Sequence, residues 1–171
     1  MMEVLLIIVA IIVIIIVVKV LVYSNKKKKS IEELKNSKVY EVAEKIREEL
    51  EKIGFNKDGF EPHMCMCHDA AYGSIGSFHP ERKERVIITF SCYWDVLYDA
   101  RSFWSNWKAM HGKCVYGIEN DNIGGMLVII KSEKNEFFED APEPIKIAAE
   151  VIKNNGFGSC IEFKKLRHQK G

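Results

Sequence analysis

The chain has 171 residues, with 25 Lys and Arg against 24 Asp and Glu for a formal net charge of +1. Setting aside the apolar N-terminal segment and the basic linker that follows it leaves about 130 residues, the size of one ordinary domain with a real core. The stretch from Lys38 to Phe163 carries 15 Lys and Arg against 21 Asp and Glu, a net of −6, which argues against a nucleic-acid binder and moves the basic residues to the borders.

Val4 to Val22 is an almost unbroken apolar run in which Lys19 is the only charge. As a helix it is about 28 Å long, close to the ~30 Å hydrocarbon layer of a bilayer, so residues 1–23 are expected to form a single transmembrane anchor. A cleaved signal peptide would show a basic leading region, a shorter apolar core and a small-residue cleavage site. Here Met1, Met2 and Glu3 precede the run, and the basic block Lys26 to Lys29 follows it. By the positive-inside rule the C-terminal side lies in the cytoplasm and the N-terminus outside the cell membrane. Lys19 sits one turn from the cytosolic end, where its ammonium can reach the headgroups. With Ala10 as the only small residue and no Gly-x-x-x-Gly pattern, nothing marks a dimer face, and the segment reads as a tether.

Residues 24–36 read as a basic, partly helical linker with no apolar stripe until Ile31 and Leu34. Lys26 to Lys29, and the basic tail at 164–171 with Lys164, Lys165, Arg167 and Lys170, can both touch anionic headgroups of the inner leaflet.

The domain expected at 37–163 opens with an amphipathic helix. Ser37 is its N-cap, Val39, Val42, Ile46, Leu50 and Ile53 form its stripe, and Gly54 stops it. Glu41 with Lys45, and Glu48 with Lys52, add i,i+4 pairs. A short strand is expected from Pro62 to His68, followed by a loop over 70–84, AAYGSIGSFHPERKE, on its Gly, Ser and Pro content. Arg85 to Cys92 is β-branched and aromatic, a buried strand. Tyr93, Leu97, Ala100, Trp104, Trp107 and His111 then recur at helical spacing and predict a central helix lying across a sheet. Cys114 to Ile118 and Met126 to Lys131 predict a hairpin. Pro142 and Pro144 mark the start of a last helix with Ile145, Ala148, Ala149 and Ile152 on one face, ended by Gly156 and Phe157, before a strand at 159–163. The fold class is therefore α+β, with a mixed or antiparallel sheet and about three helices beyond the anchor.

Five cysteines behind a cytosolic topology are expected to be free thiols. His63, Met64, Cys65, Met66, Cys67, His68 and Asp69 crowd soft ligands into seven positions, and His111 with Cys114 adds a second His-x-x-Cys pair. His63, Cys65, Cys67, His68, His111 and Cys114 are thus candidate ligands for zinc or copper. On a strand, however, His63, Cys65 and Cys67 face one side and Met64, Met66 and His68 the other, and the spacing is that of no zinc finger. Alternating Met and Cys also fill a buried strand well, and His111 suits a helix C-terminus as a capping residue. A thiol enzyme would pair Cys65, Cys67, Cys92 or Cys114 with His63, His68, His79 or His111, and the sequence specifies none of these pairs. Asp95 and Asp99 fit a solvated helix face, and the glycine pairs lack a phosphate-loop lysine. The reading with the most support is a single-pass membrane protein. Its partners are the bilayer, through Val4 to Val22, and a protein bound by the cytosolic domain in a binding or scaffolding role. A Cys/His metal domain is the alternative and a thiol-dependent enzyme the third.

Overall fold

The computed structural model describes residues 2–65, 70–93, 96, 113–120, 124–132, 141–157 and 162–164. Their order is α1 (Met2–Lys35), α2 (Lys38–Lys52), β1 (Asn56–Cys65), β2 (Ala70–His79), β3 (Glu84–Ser91), β4 (Lys113–Asn120), β5 (Gly124–Ser132), α3 (Glu143–Asn154) and β6 (Glu162–Lys164). The fold is α+β, as expected.

α1 is one continuous helix of 34 residues. It contains no Gly or Pro, so no breaker separates the apolar run from the lysines that follow. The stretch expected to be a partly helical linker is helical up to Lys35. Its Lys and Glu residues are good helix formers, and its last turns gain packing, with Leu34 buried to 1% exposure and Ile31 against the same core. The apolar part of α1 is long and apolar enough to cross a membrane, a property shared by anchors and signal sequences.

Asn36 and Ser37 turn the chain into α2. The Ser37 hydroxyl donates to the Leu34 carbonyl at 2.5 Å and accepts from the Tyr40 N–H at 3.3 Å, so it closes α1 and caps α2 with one oxygen. Val39, Val42, Ala43, Ile46 and Leu50 are buried on the face that the periodicity predicts. Glu41 takes Lys45 and Lys38, both at 2.8 Å, whereas Lys52 pairs with Glu49 at 2.6 Å rather than with Glu48. At the far end Gly54 adopts φ +94, and a Cβ there would lie 2.9 Å from Nε2 of His79. Gly54→Ala is therefore expected to lower stability by about 1 to 3 kcal/mol, through left-handed strain and displacement of the imidazole. Gly59→Ala, with open space around it, should stay within about 0.5 kcal/mol. Thermal denaturation of the two variants checks the pair.

The strands form a six-stranded antiparallel sheet in the order β1-β2-β3-β5-β4-β6. The expected loop over 70–84 is overturned by β2, a ten-residue strand hydrogen-bonded on both sides, with only residues 80–83 as a turn. Its small residues fit close neighbours. A Cβ on Gly73 would fall 2.7 Å from Phe60 and 3.0 Å from Phe90, and the Ser74 and Thr89 hydroxyls bond across the strands at 3.1 Å. β1 starts at Asn56, six residues before the expected strand at Pro62. Its first half is polar because it is a solvated edge strand, with a register shift between Lys57 and Phe60. The buried strand, the hairpin and the last helix fall where expected, and Glu162 to Lys164 give the final strand. The central helix expected from Tyr93 to His111 lies outside the described residues, apart from Tyr93 and the buried Val96.

α2 and α3 pack on one face of the sheet. Val86, Ile88 and Phe90 of β3, Met126, Val128 and Ile130 of β5, and Ile75 of β2 meet Ile46, Leu50, Ile145, Ala148 and Ile152 there. Lys45 joins the helices through the Asn155 side chain at 2.9 Å. On the opposite face Thr89, Ser91, Leu127 and Ile129 are also buried.

Candidate functional site

β1 places His63 and Cys65 on the sheet face away from α2, while Met64 packs toward the core, which is the alternation a strand imposes. His63 stacks on Tyr72 of the neighbouring strand with ring centroids 5.0 Å apart, and its Nε2 is 3.9 Å from the Glu61 carboxylate. Cys65 is a free thiol opposite Ala70. Cys67, His68 and His111 lie outside the described residues.

Cys114 lies in β4, opposite Ile129. Between β1 and β4 stand β2, β3 and β5, so the two backbones are four strand spacings, or roughly 19 Å, apart. Ligands 2.0 to 2.3 Å from one ion do not reach across that gap, as an order-of-magnitude matter of side-chain length. The fold thus keeps His63 and Cys65 together and leaves Cys114 apart from them. Among the described residues no three His, Cys, Asp or Glu side chains converge. Excess chelator is expected to leave the thermal midpoint of the full chain unchanged, since a structural zinc would contribute on the order of 10 kcal/mol. A fall of several degrees on chelation would show a metal holding the fold.

The thiol–imidazole pairs fare similarly. Ser91 is registered with Tyr72 and Glu84 with His79, so Cys92, which follows Ser91, and His79 stand at opposite ends of the sheet, roughly 23 Å apart. Burial pushes the Cys92 thiol above its ordinary pKa, although a Ser37 hydrogen bond opposes this. It remains a neutral thiol at pH 7, the wrong form for a nucleophile. His79 is packed edge-on against Phe55 and accepts the Arg82 N–H at Nδ1, 3.2 Å away, which is the setting of a core histidine.

The most tightly built constellation is one that residue types alone did not single out: the joint between the end of α1 and the sheet. The Ala71 N–H of β2 donates to the Ser30 hydroxyl at 2.8 Å, and the Tyr93 hydroxyl donates to the Glu33 carboxylate at 3.0 Å. Lys35 lies 5.4 Å over the Phe60 ring, and Leu34 is sealed beneath. The hydrogen bond to Glu33 and that carboxylate's charge raise the Tyr93 pKa above 10. The bond is therefore intact at neutral pH, and is lost as pH rises through the raised value. The sequence signal was Ile31 and Leu34, three apart behind the lysines, with no breaker in between.

Beside the joint an open cleft of about 650 Å³ is lined by Lys35, Ser37, Lys38, Tyr40, Glu41 and Glu44 among others. Its charges engage one another: Lys38 and Lys45 hold Glu41 down to about 2, and Glu44 is bidentate with Arg47. That leaves those groups committed within the chain rather than directed at a ligand. No family model, curated protein or solved structure matches the chain. The functional reading therefore rests on geometry.

Proposed function

We propose that the protein is a single-pass membrane protein, N-terminus outside, whose C-terminal α+β domain serves in the cytoplasm as a binding or scaffolding module for a protein partner. One observation carries the membrane part. Among the described residues every exposed large hydrophobic side chain other than Tyr93 lies between Val4 and Tyr23, at 49% to 63% exposure, while the domain buries its own. An apolar cylinder of that kind, left uncovered among the described residues, calls for lipid. The continuity of α1 from the apolar run to Leu34 in the domain core is the geometry an uncleaved anchor would use. Lys26 to Lys29 supply the cytoplasmic bias and anionic-lipid contact. The module reading draws on the acidic body and on the absence, among the described residues, of a thiol hydrogen-bonded to an imidazole.

The test is the intact mass of the protein recovered from the membrane fraction of expressing cells, with a reporter joined after Gly171. An unprocessed chain with the reporter active in the cytoplasm is expected. A chain shortened near Tyr23 and recovered in soluble form would overturn the proposal.

A further inference from the structure

Tethers are ordinarily flexible: a Gly- or Ser-rich linker lets a domain wander over the membrane. Between Val22 and the core this chain has only helix. Lys26, Lys27, Lys28 and Lys29 occupy successive positions on it, about 100° apart around the axis, and so form a collar rather than a patch. The collar lies about 6 to 11 Å beyond Val22, the level of the headgroups if Val22 marks the edge of the hydrocarbon. The next residue, Ser30, is already bound to the sheet through the Ala71 N–H. From there Glu33, Leu34 and Lys35 engage Tyr93, the core and Phe60, and the Ser37 hydroxyl locks the turn into α2.

The contacts also orient the sheet. Ser30 meets β2 at Ala71, Lys35 lies over Phe60, which is paired with Ile75, and Phe55, just past the end of α2, packs on His79. Moving away from the lysine collar therefore means moving along β2 from its first residue to its last.

We propose that α1 is a rigid strut that holds the domain at a fixed height above an anionic bilayer surface. The Cys65, Ala70 and Ser91 end of the sheet then faces the lipid, and the turn at Glu81 points away from it. This rests on the anchored reading above and adds what that reading leaves open, namely that the domain does not swivel. The collar contacts headgroups whichever way the helix is rotated, so it sets depth, and the joint passes that depth to the sheet. A partner engaging the domain meets it at one height and in one orientation, with Glu81 roughly 40 Å beyond the hydrocarbon edge, from about 1.5 Å per helical residue and 3.3 Å per strand residue.

Full-length protein in vesicles containing phosphatidylserine, with a donor dye at position 81 and acceptor dyes on lipid headgroups, tests this. Two insertions of equal length between Lys29 and Ser30 are compared: Glu-Ala-Gln-Lys, which continues the helix, and Gly-Ser-Gly-Gly, which breaks it. Both leave Lys26 to Lys29 and the residues of the joint from Ser30 onward in place. The helical insert should raise the dye by about 6 Å without widening its distance distribution, and the flexible insert should widen it. Protein that floats with the vesicles yet gives a broad distribution unchanged by either insert would overturn the strut while sparing the anchor. Protein that does not float with the vesicles would overturn both.

Discussion

Phe90→Ala is expected to cost about 3 to 5 kcal/mol, the range for emptying a buried aromatic site. Phe90 is fully buried on β3, the strand between β2 and β5, and its ring meets Tyr40 of α2 edge-on at 5.6 Å and Phe60 of β1 in a stacked arrangement at 6.3 Å. Gly73 leaves the floor of that site open, because a Cβ there would overlap both phenylalanines. The truncation leaves a void that four elements would have to collapse into, and the sheet cannot bend that far without breaking its ladder. Phe78, half-buried on β2 with Arg85 over its ring at 5.8 Å, provides the contrast. Phe78→Ala should cost markedly less, about 1 to 2 kcal/mol. Chemical denaturation of the full chain in detergent measures both, and equal costs would show that the core is centred elsewhere.

Leu34→Ala is the second large effect, at about 2 to 5 kcal/mol. A leucine in a solvated juxtamembrane linker would contribute almost nothing, and this one is 1% exposed in the main core cluster, with Val39 and Val42 of α2 in the same cluster. Lys28→Ala, six residues earlier on the same helix and exposed, should change stability by no more than about 0.5 kcal/mol. A Leu34→Ala cost as small as that of Lys28→Ala would mean that the domain folds without the end of α1, and the joint would then be incidental.

What the sequence disclosed depends on how each element meets solvent. α2, β3, β5 and α3 each bury one patterned face or a continuous apolar run, so periodicity located them. β2 hides because its neighbours supply the bulk. With Phe60 and Phe90 over Gly73, and Ser74 bonded to Thr89, the strand needs small residues, and small residues read as a loop. The first half of β1 hides because an edge strand can be polar throughout, and Asn56 to Glu61 carries Lys57, Asp58 and Glu61. The end of α1 hides because four lysines mask a helix whose apolar contacts are confined to Ile31 and Leu34.

The candidate ligands were conspicuous by composition, yet composition carries no distance. The strand order, which separates β1 from β4, decides that His63 and Cys65 stay apart from Cys114, and no local pattern encodes strand order. Alternation within β1 was legible, and it places Met64 and Cys65 on opposite faces as a two-residue period requires. The joint was nearly legible. Its polar members, Ser30, Glu33 and Tyr93, are ordinary residues whose importance lies only in what the fold sets beside them.

The central claim, that α1 anchors an otherwise soluble domain on the cytoplasmic side, is tested most directly by protease protection in intact cells. The expected result is a full-length chain that resists alkaline extraction from the membrane, survives external protease, and is digested only after the membrane is permeabilised. A chain digested from outside without permeabilisation, or released by alkaline wash, would contradict it.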